Sequence, residues 1–471
     1  MPRIPLNHGA NGYLMNYSFV TSIWPNERGN ARIDLCRTLV RTSLGKAANQ
    51  IRLPGRIFLP PAHVFDIVSS NARSVVTDTL PQWAEILNDR AQWAKTPPQP
   101  LSKSPSAVRP TIDELVASPA FWHGPDVAAK SDEWIHVLSQ EELGEIRSAI
   151  AHARRKHQGT PNEDIVKIIE AKEDFPLSKE FEGLLEEVFQ KLVNGRGFFL
   201  IRGLPVREWS IEDLSLAYFG LGSYLGDAVT QNRRGHVLGH VKDVGDDPSD
   251  PSVRIYRTHE RQPFHADACD IVGLLALRTA KEGGASYIAS SYAVYHELLT
   301  KRPDLLAVLE DDEIYWDRKN DVPTGKGDFF KGPMFVWHKG RVCCLTNPDR
   351  AFSAQRHPDV PRMSDLQKEA FLFVEETCIR DDISFNFQLQ EGDIEFAHNP
   401  HVLHARSWYV DHADPAERRH LLRLWLSNTN RGIELPDVPY TEWFNGPVTV
   451  GQRRGGVYVK GVQPRAPMEA E

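Results

Sequence analysis

Apolar positions fall at helical spacing over much of 139–223 and at strand spacing from Val237 onward. Ser139 and Glu142 form a capping box ahead of Leu143, Ile146 and Ile150, which predicts a helix with one buried stripe. A second amphipathic helix is predicted from about 178 to 193, stopped by Asn194-Gly195. The continuous run Gly197-Phe-Phe-Leu-Ile-Arg202 reads as a buried strand ending at Gly203, and Ser210-Ile-Glu-Asp213 opens another helix. From Val237 onward, short β-rich segments alternate with turns such as 246–251. The run 270–278 reads as a buried strand, and Gly283-Gly284-Ala285-Ser286 as a tight turn after it. Between Ala293 and Leu309, Tyr295, Leu298, Leu299, Leu305, Leu306 and Leu309 predict helical cover interrupted at Pro303. Helices first and many short strands afterwards predict an α+β chain: a double-stranded β-helix (jelly roll) core flanked by helices.

Composition narrows the class. At 41% hydrophobic and 25% charged, the 471 residues suit an ordinary folded chain. A net charge of −8 argues against a general nucleic-acid binder, and no apolar run reaches the length that spans a bilayer. The five cysteines (Cys36, Cys269, Cys343, Cys344, Cys378) are scattered and odd in number, which predicts a reducing compartment without a disulfide framework. Residues 1–110 are basic, with 13 Lys+Arg against 6 Asp+Glu, and end in a Pro/Ser-rich linker over 96–110. The expected division is an N-terminal extension over 1–110, a catalytic domain over 111–440 and a tail over 441–471. The expected location is cytoplasmic; the Arg-rich, acid-poor start offers a mitochondrial presequence as the alternative, although Pro2, Pro5, Gly9 and Gly12 break any early helix.

The chemistry lies in Pro263-Phe-His265-Ala-Asp267 and, far downstream, Leu403-His404-Ala-Arg406. Two imidazoles and a carboxylate hold one face of a non-haem Fe(II) centre and leave the other positions open. On a β-strand, positions 265 and 267 share a face, and the third ligand must come from a strand adjacent in space. Beyond His404, the strand Arg418-Arg-His-Leu-Leu-Arg423-Leu-Trp-Leu supplies guanidiniums suited to a dicarboxylate.

In these segments the sequence resembles the taurine catabolism dioxygenase (TauD/TfdA) family of Fe(II)/2-oxoglutarate-dependent oxygenases, in particular its larger, fungal-type members, over roughly 110–440. The resemblance implies His265, Asp267 and His404 as iron ligands and Ser286 and Arg419 on 2-oxoglutarate. It implies Arg423 on the substrate; the longer interval from His404 leaves Arg419 and Arg423 as alternatives for the co-substrate, with Arg419 preferred. Gln262, with Arg254 and Tyr256, precedes the metal strand and is placed toward the substrate. The implied reaction uses O2, with ascorbate as reductant, to oxidise a C–H bond of a small anionic metabolite, a sulfonate or carboxylate, releasing succinate and CO2. The expected partner is that small molecule, with no nucleic acid and no membrane, and with room for a homo-oligomer.

Other readings stay beside this one. A trimethyllysine or γ-butyrobetaine-type hydroxylase would carry an N-terminal Cys/His module, whereas the first 260 residues hold only Cys36. An inactive β-helix ligand-binding protein would be expected to lose part of the triad, and a zinc hydrolase gives the arginines no purpose. His401 is read as a neighbour of the site or a surface group. His259, His398, His412 and His420 are read as solvated or core histidines, Cys269 as a small core residue, and Arg406 as a structural partner for a carboxylate.

Overall fold

The computed structural model describes residues 21–25, 31–35, 109–428, 430–452 and 455–471. The chain divides into two units, 1–80 and 81–471. In the first, Thr21–Pro25 and Ala31–Leu35 pair as an antiparallel hairpin. The presequence reading, Cys36 and nearly all of the 96–110 linker lie outside the described residues.

In the second unit, Ser139 and Glu142 exchange the capping-box hydrogen bonds that start helix α1 (Gln140–Lys156), and Ser178 caps α2 (Lys179–Val193). Ser210 caps α3 (Ile211–Ser223). Pro303 divides the later helical cover into α4 (Ser291–Lys301) and α5 (Pro303–Leu309), as its missing N–H and ring require. A further helix, α6 (Asp365–Ile379), opens with a Ser364/Gln367 capping box that the sequence reading passed over.

Eleven strands carry the site: β1 (Ile135–Val137), β2 (Phe198–Arg202), β3 (Asp227–Ala228), β4 (Leu238–Val241), β5 (Gln262–His265), β6 (Ile271–Arg278), β7 (Ser286–Ser290), β8 (Ser384–Phe387), β9 (Ile394–His398), β10 (Val402–Arg406) and β11 (His420–Ser427). They form a seven-stranded sheet in the order β1-β2-β9-β6-β11-β3, with β4 also on β11, and a four-stranded sheet in the order β8-β7-β10-β5. Pairing is antiparallel throughout except between β1 and β2. Side chains of the two sheets meet: Ser286 on β7 donates to Glu395 on β9 at 3.0 Å. The architecture is α+β, but helices do not simply precede strands. β1 and β2 are threaded among the early helices, and α4–α6 fall between β7 and β8.

Helix α2 lies on β2 and β9, and α3 on β3 and β11. The approach of α3 is close because Gly222 has no side chain: a Cβ there would meet Leu424 Cδ2 at 2.4 Å. Residues beyond 440 pack into the same core, with Trp443, Phe444, Val448 and Ala466 all buried. Among the described residues, no helix is long and apolar enough to cross a membrane.

Candidate active site

Antiparallel pairing of β5 with β10 puts His265 opposite His404, and their rings stand 4.2 Å apart between centroids. The ligand atoms of His265, Asp267 and His404 all lie within 4.8 Å of one another, and all three residues are buried. The expectation that His265 and Asp267 share a strand needs correction, because β5 ends at His265. The backbone then leaves the sheet: Ala266 N donates to Thr346 O, and Asp267 N to Asn399 Oδ1 at 2.8 Å. Side-chain contacts, rather than strand alternation, aim the carboxylate.

Asp267 Oδ2 accepts from Trp425 Nε1 at 3.1 Å, and both its oxygens lie 3.4 Å from Arg423 Nη1. Burial pushes its pKa upward, but Arg423 above all, with Arg254, holds the carboxyl well below the usual range. Burial depresses His265, and it holds His404 at about 3, so both imidazoles are neutral at physiological pH. His265 Nδ1 bonds the Pro263 carbonyl at 2.9 Å, which fixes the proton there and turns the Nε2 lone pair toward the cluster. Two neutral imidazoles and one ionised carboxylate fit an Fe(II) ion with open positions. Gln262 Nε2 lies 2.9 Å from His265 Nε2, at the mouth of the cluster.

A second group of polar side chains lies where β7 and β10 pair Ser286 with Arg406, and where Arg406 and Arg419, just ahead of β11, meet Tyr409. Arg419 is 4% exposed and stacks on the Tyr409 ring at 5.1 Å, and its Nη1 is buried without a protein partner. Arg406 stacks on the same ring at 4.8 Å and donates to the carbonyls of Thr258 and Glu260. Among the described residues it pairs with no carboxylate, contrary to expectation. Ser286 is engaged by Glu395, whose pKa burial raises to about 7. Gly284, at φ +73°, admits Arg419: a Cβ there would lie 3.1 Å from its Nε.

Arg423 is held by Gln231 Oε1 at 2.9 Å and sandwiched between Tyr256 (4.5 Å) and Trp425 (4.9 Å), pointing at Asp267. The two arginines therefore serve different places: Arg419 faces Tyr409, and Arg423 faces the triad. His401 is buried rather than superficial, its ring 4.5 Å from that of buried His398. His420 contacts His240 at 2.7 Å, His259 pairs with Asp243, and Cys269 is a buried core residue. Trp425, Gln231, Asn399, Tyr409 and Glu395 were not singled out from sequence. Only Trp425 left a readable trace, sharing strand parity with Arg423.

Residues 158–425 match the taurine catabolism dioxygenase TauD, TfdA family. The chain belongs to that family. It is accordingly an Fe(II)/2-oxoglutarate-dependent dioxygenase, which removes the zinc-hydrolase reading. FR-33289 synthase of Streptomyces rubellomurinus is 28% identical over 331 residues, covering 69% of this chain and 94% of that protein. Taurine hydroxylase-like protein SAT17 of Stachybotrys chartarum is 29% identical over 257 residues, covering 52% of this chain and 65% of that one. Among solved structures, an asparagine oxygenase in complex with Fe(II), 2S,3S-3-hydroxyasparagine and succinate superposes with a TM-score of 0.47 at 14% identity, covering 62% of this chain and 94% of its own. The non-haem iron oxygenase OrfP in complex with Fe and alpha-ketoglutaric acid gives 0.46 at 15% identity, covering 68% and 100%.

Proposed function

We propose that this dioxygenase oxidises a C–H bond of a small anionic metabolite, with His265, Asp267 and His404 as the iron ligands. The observation that carries the reading is the convergence of two neutral imidazoles and one ionised carboxylate within 4.8 Å, all buried. Bound Fe(II) would supply the activation of O2 that couples decarboxylation of 2-oxoglutarate, to succinate and CO2, with oxidation of the substrate.

The chain's own residues orient and shield. Arg419 offers a buried, unpartnered Nη1 to the far carboxylate of 2-oxoglutarate, with Ser286 beside it. Arg423 and Gln262 stand at the triad on the substrate side, and burial keeps bulk water from the reacting centre. A relative named as a taurine hydroxylase-like protein supports an anionic substrate, since taurine carries a sulfonate. Within the same reading, the two sheets form a double-stranded β-helix, 1–110 is an extension, and the catalytic domain expected over 111–440 takes in the core-packed residues that follow it.

The test is succinate formation from 2-oxoglutarate under air with Fe(II) and ascorbate, against a His265→Ala control. Sulfonates, amino acids and betaines are screened for stimulation. Iron-dependent succinate that vanishes in the variant is expected. A wild-type chain that binds neither Fe(II) nor 2-oxoglutarate overturns the proposal.

A further inference from the structure

Beside the triad, Arg254, Tyr256, Gln262, Asn347, Asp349 and Arg350 line a narrow cleft, with a free volume of about 10 Å³, that reaches His265 and Asp267. The carboxylates around Arg350 are already matched. Asp321 takes Arg254 Nη1 at 2.7 Å, Asp349 takes Lys319 Nζ at 2.6 Å, and Asp317 takes Arg356 at 2.7 Å with His357 at 3.2 Å. Arg350 is left over. It is 8% exposed, its Nη1 is held only by the Asp317 carbonyl at 2.8 Å, and its guanidinium lies 5.5 Å from the Trp443 ring centroid. Burial and the nearby Arg254 push its pKa down to about 10, although Asp321, Asp317 and Asp349 oppose them at longer range. A buried guanidinium without a carboxylate of its own is costly, and an incoming anion offsets that cost.

We propose that Arg350, with Arg254 beside it, is an oxyanion subsite for one end of the substrate. The substrate is then a small acid whose phosphonate, sulfonate or carboxylate end meets Arg350 as the cleft widens to admit it, while the carbon to be oxidised faces His265 and Asp267. This rests on the function proposed above and separates the anion-holding group from Arg423, which is occupied by Asp267 and Gln231.

The test is anaerobic calorimetric titration of ethylphosphonate, ethanesulfonate and propionate into the full chain loaded with Fe(II) and 2-oxoglutarate, with propionamide as the uncharged control. At least one anion is expected to bind saturably and propionamide not. Arg350→Gln should weaken that anion about 10- to 100-fold, the loss of one or more charge-assisted hydrogen bonds, while Fe(II) and 2-oxoglutarate bind as in wild type. Arg350→Lys should restore part of the loss. The double variant Arg254→Gln/Asp321→Asn removes an ion pair without leaving a lone charge, and should weaken the anion independently should Arg350→Gln misfold. The subsite is overturned by equal binding of propionamide, by absence of saturable binding of all three anions, or by anion affinity unchanged in the folded variants. A chain that fails to bind Fe(II) and 2-oxoglutarate overturns the parent function, and the subsite with it.

Discussion

Replacing Trp425 by Phe removes one hydrogen bond and leaves a small buried gap. The indole is 2% exposed on β11, and its Nε1 donates to Asp267 Oδ2 at 3.1 Å. Phenylalanine keeps an aromatic ring in the slot and under Arg423, which now lies 4.9 Å from the indole centroid. What disappears is a donor to a buried, ionised carboxylate, an interaction worth about 1.5–3 kcal/mol. Asp267 retains Arg423, but that guanidinium sits 3.4 Å from both oxygens and favours neither orientation. Trp425 is thus the contact that selects which oxygen turns toward His404, whose Nε2 lies 4.0 Å from Oδ2. Losing it should weaken Fe(II) binding about 10- to 100-fold, the range seen when groups that orient metal ligands are removed. Anaerobic competition against a chromophoric chelator measures the Fe(II) affinity, and thermal unfolding of the metal-free chain shows whether the fold survived. An Fe(II) affinity within about twofold of wild type, in a variant of unchanged melting temperature, would refute the argument that this indole orients the carboxylate.

Three further outcomes are expected. Arg419→Gln should weaken 2-oxoglutarate about 10- to 100-fold and leave Fe(II) affinity unchanged, because the lost group faces Tyr409 rather than the triad; equal loss of both ligands by calorimetry would contradict this. Gly284→Ala should also weaken 2-oxoglutarate, since its Cβ would stand 3.1 Å from Arg419 Nε at φ +73°; unaltered affinity in a folded variant would count against Arg419 as the anchor. Glu395 has a folded pKa of about 7 against 4.5 ordinarily, so the folded state holds the extra proton between those values. Its contribution to stability is full below pH 4.5 and falls as pH rises through 7, by about 3 kcal/mol relative to Glu395→Gln, as urea unfolding of both proteins across that range would register. A stability difference that stays flat with pH would mean the carboxyl is not held protonated.

The parts of this molecule legible in its sequence are those encoded locally. Ser139 with Glu142, Ser178 and Ser210 announce their helices because a cap needs only residues three apart, and Pro303 breaks a helix by its own ring. The Ser364/Gln367 box that starts α6 is equally local. His265 and His404 were legible for another reason: metal chemistry restricts which side chains serve, and a strand pair can bring them opposite one another however far apart they lie along the chain. The environment of Asp267 had no such restriction. Asn399 reaches it over a separation of 132 residues and Trp425 over 158, and nothing in the sequence ties either one to position 267. Strand alternation therefore pointed to Asp267 for a reason the fold does not supply, since Asp267 stands beyond the end of β5 and is steered by those distant contacts. Arg350 lies further still from anything sequence pattern could mark. Its meaning arises only once Asp317, Asp321 and Asp349 are each seen with a cation of their own, a comparison of partners that only the folded chain supplies.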